Sequence, residues 1–358
     1  MAGQIGACVA GVTPLAVRVA APHMVAMVPL SVLDLAPIVE GSDAGQAFRN
    51  SRDLARHAEQ LGYRRFWMAE HHSMPGIASA ATAVALSYVA EGTSTIRIGA
   101  GGIMLPNHSP LQVAEQFGTL ESLYPGRVDL GLGRAPGTDA AAAHAMRRNL
   151  ATDPNQFPRD VVELMAYFGP PEPGRKVRAI PGEGFRVPVW ILGSSLFGAQ
   201  LAAMLGLPYA FASHFAPQAM KEAIHVYRET FEPSAQLDRP YVMLGYNVFA
   251  ADSDEEGALL ATSVQQAFVE LRTGNPSRLK PPVPGYADSL PPQQRAVLDG
   301  VLACSAIGSP ARVRAAVEGF VAETGADELM IVSQIFDHEA RRKSYRLLAE
   351  SFALAEAY

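Results

Sequence analysis

Short, nearly uninterrupted apolar runs alternate along this chain with longer stretches whose apolar residues recur at helical spacing. VPLSVLD (28–34) is the first run. After it, Phe48, Leu54, Ala58 and Leu61 mark one face of a helix over 43–61, which Ser42 or Asp43 can cap and Gly62 can end. YRRFWMAE (63–70) reads as a second strand with a helix over 77–91 behind it, and TIRIGAGGIML (95–105) as a third with a helix over 109–123. RVDLGLG (127–133), VPVWILG (187–193), LPYAFAS (207–213), YVMLGYNVFA (241–250) and DELMIVSQ (327–334) complete eight strands, and a closing helix is expected over 338–357. Eight such strands with helices between them predict an α/β fold of the (β/α)8 TIM-barrel kind. A doubly wound sheet is the alternative, and the lack of GxGxxG after the first strand weakens it.

The spacing is uneven. Long gaps after strands four and seven, containing GPPEPGRK (169–176) and NPSRLKPPVPGYADSLPPQQ (275–294), predict insertions at those two places. A long loop in a compact domain is usually functional or disordered, so 273–295 is expected to be a mobile lid. Residues 27–358 read as one domain. Residues 1–26 are weakly patterned, with Pro14 and Arg18 interrupting an apolar middle and no basic start, and are expected to form a leader or extension outside the fold rather than a signal peptide.

Composition narrows the classes. A hydrophobic share of 49% supplies a large core, and a net charge of −6 without a Lys/Arg cluster argues against nucleic acid as a partner. Two cysteines, Cys8 and Cys304, allow neither a disulfide framework nor a cysteine zinc site, which suits the cytoplasm. No apolar stretch reads as a membrane span.

In a barrel of this kind chemistry sits where strands end. That rule selects Asp34, Glu70, His71, His72, Gly101, Gly102, Asn107, Arg134, Ser194, Ser195, Ser213, His214 and Gln334. GSSLFGAQLAAMLGLP (193–208) passes from a strand directly into a helix. The exposed N–H groups and the hydroxyls of Ser194 and Ser195 form either an anion site, with Arg134 as counter-charge, or a plain helix cap. Gly101 and Gly102 mark either a close approach to a flat ligand or a barrel corner. For the pair in AEHH three readings stand: a metal site, packed core histidines, or the acid–base end of an active site. Neighbouring strand residues face opposite ways, which disfavours both imidazoles on one ion, so no metal is expected; an imidazole titrating near neutrality suits proton transfer. GxSxG, Walker and HExxH motifs are missing. A phosphate handle, a glycine floor and a histidine together point to an organic cofactor.

Those residues also carry a resemblance. GYRRFWMAEHH, IRIGAGGIMLPNHSPLQVAEQFGTLESLYPGRVDLGLGRAPGTD, PVWILGSSLFGAQLAAMLGLPYAFASHF and TGADELMIVSQIFDHEARRKSYRLLAE resemble the bacterial luciferase-like family of flavin-dependent monooxygenases, over nearly the whole chain. The resemblance implies a homodimeric barrel using reduced FMN (FMNH2) delivered by a separate flavin reductase. Oxygen and reduced flavin then form a flavin C4a-peroxide that attacks the substrate. It implies that His71 is the catalytic acid–base, supported by His72 and Glu70, and that Gly101–Gly102 falls where relatives have a non-prolyl cis peptide under the isoalloxazine ring. Arg134, Ser194 and Ser195 match the FMN phosphate site, and Ser213, His214 and Asp34 are expected to complete the cofactor pocket. Gly198 stands where relatives often carry a phosphate-binding Ser or Thr, so one side-chain contact is missing. Luciferase has a cysteine where this chain has Gly133, so light emission is not implied. The SVLD, ASHF and VSQIFDH stretches look like a subgroup found also in antibiotic-biosynthesis clusters, which points to tailoring of a hydrophobic, aromatic polyketide-type substrate. A deazaflavin-dependent reductase and a non-catalytic flavin-binding protein are the alternatives.

Overall fold

The structure is a computed structural model and describes residues 28–135, 140–146 and 156–354; the expected leader lies outside the described residues. The first half of the chain is strictly alternating: β1 (Leu30–Asp34), α1 (Ala44–Gln60), β2 (Arg65–Met68), α2 (Thr82–Glu91), β3 (Arg97–Met104), α3 (Pro110–Leu123) and β4 (Val128–Gly133). Then follow α4 (Ala140–Met146), α5 (Phe157–Tyr167), β5 (Val189–Gly193), α6 (Leu196–Met204), β6 (Tyr209–Phe211), α7 (Met220–Glu229) and β7 (Val242–Ala250). The last stretch holds α8 (Asp254–Arg272), α9 (Pro292–Val301), β8 (Ser305–Gly308), α10 (Pro310–Thr324), β9 (Glu328–Val332) and α11 (His338–Ser351).

All strand pairings are parallel. β1 pairs with β2 and β9, β7 pairs with β9 and β6, and the remaining strands run in order between, which closes an eight-stranded barrel. The expected (β/α)8 architecture is therefore the observed one. Among the described residues nine strands are present rather than eight: β8 pairs with the upper half of β7, from Asn247 to Ala250, and is not part of the barrel wall. The expected helix over 77–91 begins at Thr82, because Ile77 is held in a bridge to Pro37, and the closing helix ends at Ser351. Asp43 caps α1 by accepting the Gln46 N–H at 2.8 Å, and Gly62 ends it with φ +83°.

The barrel interior is layered. At its N-terminal end Arg65 pairs with Asp129 and with Glu328, each at 2.7 Å, while Arg97 pairs with Asp129 at 2.6 Å. Ser31 and Tyr241 add hydrogen bonds to Glu328, and the Trp67 indole donates to Asp129 at 3.1 Å. Burial alone would raise the Asp129 carboxyl, but Arg65 and Arg97 hold it below its ordinary value. Above this charged plug Trp67 and Trp190 meet edge to face at 5.2 Å, packed with Leu33, Met243, Met330 and Val332. Val32, Phe66, Met68 and Ile98 turn outward into the larger core beneath the helices. Side chains fill the column from the N-terminal end upward, and in barrels of this kind ligands bind at the C-terminal mouth.

The 273–295 stretch after α8, expected as a lid, is bonded on two sides. Leu279 N–H donates to the Ile38 carbonyl at 3.0 Å and the Leu279 carbonyl accepts from Glu40 N–H at 2.8 Å. On the other side the Thr262 hydroxyl accepts from Val283 N–H and the Gln266 amide donates to Pro281, both at 2.8 Å, and Lys280 pairs with Glu270. This strap joins α8 to the segment that follows β1.

Candidate active site

Glu70, His71 and His72 leave the end of β2 together and diverge. Glu70 is buried, and its Oε1 accepts from Nε2 of His72 at 2.7 Å and from Nε2 of His108 at 2.8 Å, while Oε2 accepts the Met104 N–H at 3.1 Å. Burial alone would raise this carboxyl; the hydrogen bonds from His108, His72 and Met104 more than offset that and hold it below its ordinary value. These three residues form a group with the donor set of a metal site. Both imidazole nitrogens, however, face a single carboxylate oxygen at hydrogen-bond distance, whereas ligands around a tetrahedral zinc stand about 3.3 Å apart. The arrangement is a hydrogen-bonded cluster.

His71 goes the other way. Its charge adds to burial in pushing the neighbouring His214 imidazole down to about 4, so the ends of β2 and β6 bring two histidines within electrostatic reach. His214 is seated by β7. Its main-chain carbonyl accepts from the Asn247 amide at 2.8 Å, and its ring lies against Gly245, where any Cβ would be 2.0 Å from Nδ1. That Nδ1 is enclosed without a hydrogen-bond partner. At neutral pH His214 is an uncharged imidazole.

The peptide between Gly101 and Gly102 is cis, as the family resemblance implied. Protein packing also leaves little room for a side chain here. A Cβ on Gly101 would lie 2.8 Å from Leu33 and 3.0 Å from Trp67, and one on Gly102 would lie 2.8 Å from the Gly131 carbonyl. The register between β3 and β4 shifts between Ala100 and Ile103, so this stretch stands out of the ladder.

Ser194 and Ser195 are exposed at the end of β5. Ser195 is the N-cap of α6 with extended φ −144° and ψ 165°, yet its side chain makes no capping bond. The first-turn N–H groups of α6 and this hydroxyl are thus presented outward, the arrangement that receives an anion. Arg134 is exposed beside them, its guanidinium 4.2 Å from the centre of the Phe197 ring in the first turn of α6. At Gly198 a Cβ would touch nothing closer than 3.4 Å, so a larger residue fits there.

Two expected pocket residues are otherwise engaged. Asp34 is fully buried, and its Oδ1 takes the Arg341 guanidinium at 2.7 Å and the Ala36 N–H at 3.0 Å. Ser213 is buried too, its hydroxyl donating to the Gly245 carbonyl at 2.6 Å. Both side chains are thus held by the protein in this structure, while Oδ2 of Asp34 is buried without a hydrogen-bond partner. Asn107 is buried in the turn after β3, and Gln334 is half-buried after β9. His108 and Gly245 belong to the arrangement and were not anticipated. The strand-end rule selected Asn107, and the next residue is the one that folds back onto Glu70.

The family model described as luciferase-like monooxygenase matches residues 28–328. A protein of Escherichia coli (strain K12) called a luciferase-like monooxygenase is 53% identical over 320 residues, 89% of this chain and 96% of its own. The crystal structure of apo-MsnO8 is similar at TM-score 0.81 and 36% identity, over 92% of this chain and 99% of that one. The oxygenating constituent of 3,6-diketocamphane monooxygenase of Pseudomonas putida, solved in complex with FMN, shares the fold at TM-score 0.66 and 19% identity, over 90% of this chain and 97% of that one.

Proposed function

The chain belongs to the luciferase-like monooxygenase family and is a flavin-dependent oxidoreductase; from that premise and the site's geometry we propose that it is the oxygenating component of a two-component system that inserts one oxygen atom of O2 into a hydrophobic organic substrate. The observation that carries the reading is the meeting, at one barrel end, of the uncapped α6 N-terminus, the Gly101–Gly102 backbone and the His71–His214 pair. These residues fit FMN. Reduced FMN supplies the two electrons that activate O2, so that one oxygen goes to substrate and the other leaves as water.

The rest is the work of the chain. The first-turn N–H groups of α6, Ser194, Ser195 and Arg134 hold the phosphate. The Gly101–Gly102 backbone supports the ring. His71 gives or takes the proton that oxygen transfer requires, and His214, neutral across the working range, offers a hydrogen bond without adding charge. The strap over 273–295 covers the mouth and excludes water from it. A free flavin reductase supplies the reduced cofactor. The outer faces of α2 and α3, where Val84, Tyr88 and Leu123 are exposed, are the surface for a homodimer. No helix among the described residues is long and apolar enough to cross a membrane, and a cytoplasmic setting suits a reductase-fed enzyme. The SVLD, ASHF and VSQIFDH stretches favour an aromatic, polyketide-type substrate in antibiotic tailoring.

The test is rapid mixing of the protein and photoreduced FMN with oxygenated buffer, followed by absorbance. A transient oxygenated-flavin band outliving that of free reduced flavin is the expected result. Oxidation at the rate of free flavin, together with tight binding of a deazaflavin in place of FMN, would transfer the reading to deazaflavin-dependent hydride transfer.

A further inference from the structure

The β2–β3 ladder ends at Met68 opposite Ala100. Beyond that point β3 has no partner backbone on its β2 side, and the bulge against β4 leaves Gly101 and Gly102 out of the ladder on the other side as well. What takes the place of the ladder is the Glu70 carboxylate. It receives the Met104 N–H on one oxygen and, on the other, the imidazole of His108, which stands just after the turn Leu105–Asn107. Both ends of the 104–108 segment are thereby fastened to a single buried carboxylate, and His72 fastens that carboxylate from the side of its own loop. The following residue, Ser73, is left-handed at φ +56°, a conformation that a non-glycine residue adopts at a cost, and it turns the chain so that His72 can reach back.

We propose that His108 is a positioning residue of the site, and that Glu70, His72 and His108 form a clamp that locks the 104–108 segment onto β2 and so fixes the Gly101–Gly102 backbone on which the flavin ring rests. The inference rests on the flavin reading for its ligand but not for its geometry. The clamp is built from two charge-assisted hydrogen bonds and one to a backbone N–H, all to an enclosed acceptor, which are the strong members of their class. The His108 side chain is 28% exposed, and the thermal midpoint of each variant reports whether the fold is retained.

The experiment uses the flavin-free protein, His108→Ala, and His108→Gln, whose amide nitrogen can occupy the place of Nε2. Amide hydrogen exchange at Met104 and the Kd of oxidised FMN by fluorescence quenching are read for all three. The expected result is that His108→Ala raises Met104 exchange and the FMN Kd by roughly ten-fold each, the loss of one bond to a charged acceptor, and that His108→Gln restores both with the thermal midpoint unmoved. Met104 exchange unchanged in His108→Ala, or no restoration by Gln, would overturn the clamp. Should wild-type protein fail to bind FMN while Met104 exchange responds as expected, the clamp stands and it is the flavin reading that falls.

Discussion

Nδ1 of His214 occupies the space that a β-carbon on Gly245 would need: the two would be 2.0 Å apart. The strand β7 therefore gives up a side chain so that an imidazole from the β6 loop can point its Nδ1 edge at the backbone. Gly245→Ala must displace the ring or bend the strand, at a cost of about 1–3 kcal/mol for an overfilled site. In His214→Ala the obstacle is gone, and adding Gly245→Ala is expected to be nearly neutral. A double-mutant cycle by chemical denaturation measures this, and additive single effects would show that the two positions are independent.

The same seat determines how His214 responds to pH. Its folded-state value lies near 4, well below the ordinary 6.5, so between those values the unfolded chain binds more protons than the folded one. Stability is expected to rise as pH increases from about 4 to 6.5 and to level off above. Glu70, held below its ordinary value, loses its contribution only at the acid end of that window. Denaturation midpoints at pH 5 and pH 7 should differ more in the wild type than in His214→Gln; equal differences would mean that the imidazole is not the group responsible.

Much of this fold is legible in the sequence for one physical reason. Strands of a parallel barrel are covered on both faces, so LSVLD, RFWM and VMLGYNVFA read as mainly apolar runs without the regular alternation of half-exposed strands. SAIG (305–308) escapes because it is short and pairs with half of β7 only. Side-chain engagement is harder to read. Asp34 stands at a strand end like a ligand-binding residue, but Arg341 lies 307 positions away in sequence and only the closed barrel brings it within 2.7 Å. His108 has the same character: the strand-end rule stops at Asn107, and the short turn over 105–107 then swings the next side chain back onto β2. Local pattern specifies elements, while pairings between distant elements depend on register.

The charged plug supplies a prediction about stability alone. Arg65 is enclosed with Asp129 and Glu328, whose partners come from three different strands. Asp129→Asn leaves two guanidinium groups sharing less negative charge in a dry interior, and breaking a buried pair in this way costs about 3–5 kcal/mol. The site lies at the opposite end of the barrel, so the FMN Kd of the folded variant should stay within about two-fold of wild type, a shift smaller than 0.5 kcal/mol. Thermal unfolding and flavin titration together check both halves.

Gly198 is the position at which the anion site is least complete. A β-carbon there would meet Tyr209 no closer than 3.4 Å and Gly193 at 3.7 Å, so a side chain enters without displacing the helix. Serine costs nothing in backbone freedom at this helical position and removes the glycine's entropic disadvantage, worth about 0.5–1 kcal/mol relative to alanine. Its hydroxyl lies in the first turn of α6, close to Ser195 and to the N–H groups that face the phosphate. One added hydrogen bond to a charged oxygen corresponds to roughly a ten-fold tighter FMN Kd. Riboflavin, which has the ring but no phosphate, should gain nothing from Gly198→Ser. Equal gains for FMN and riboflavin would place the phosphate elsewhere, and a slower release of oxidised FMN than in the wild type would show that the glycine keeps the cofactor exchangeable.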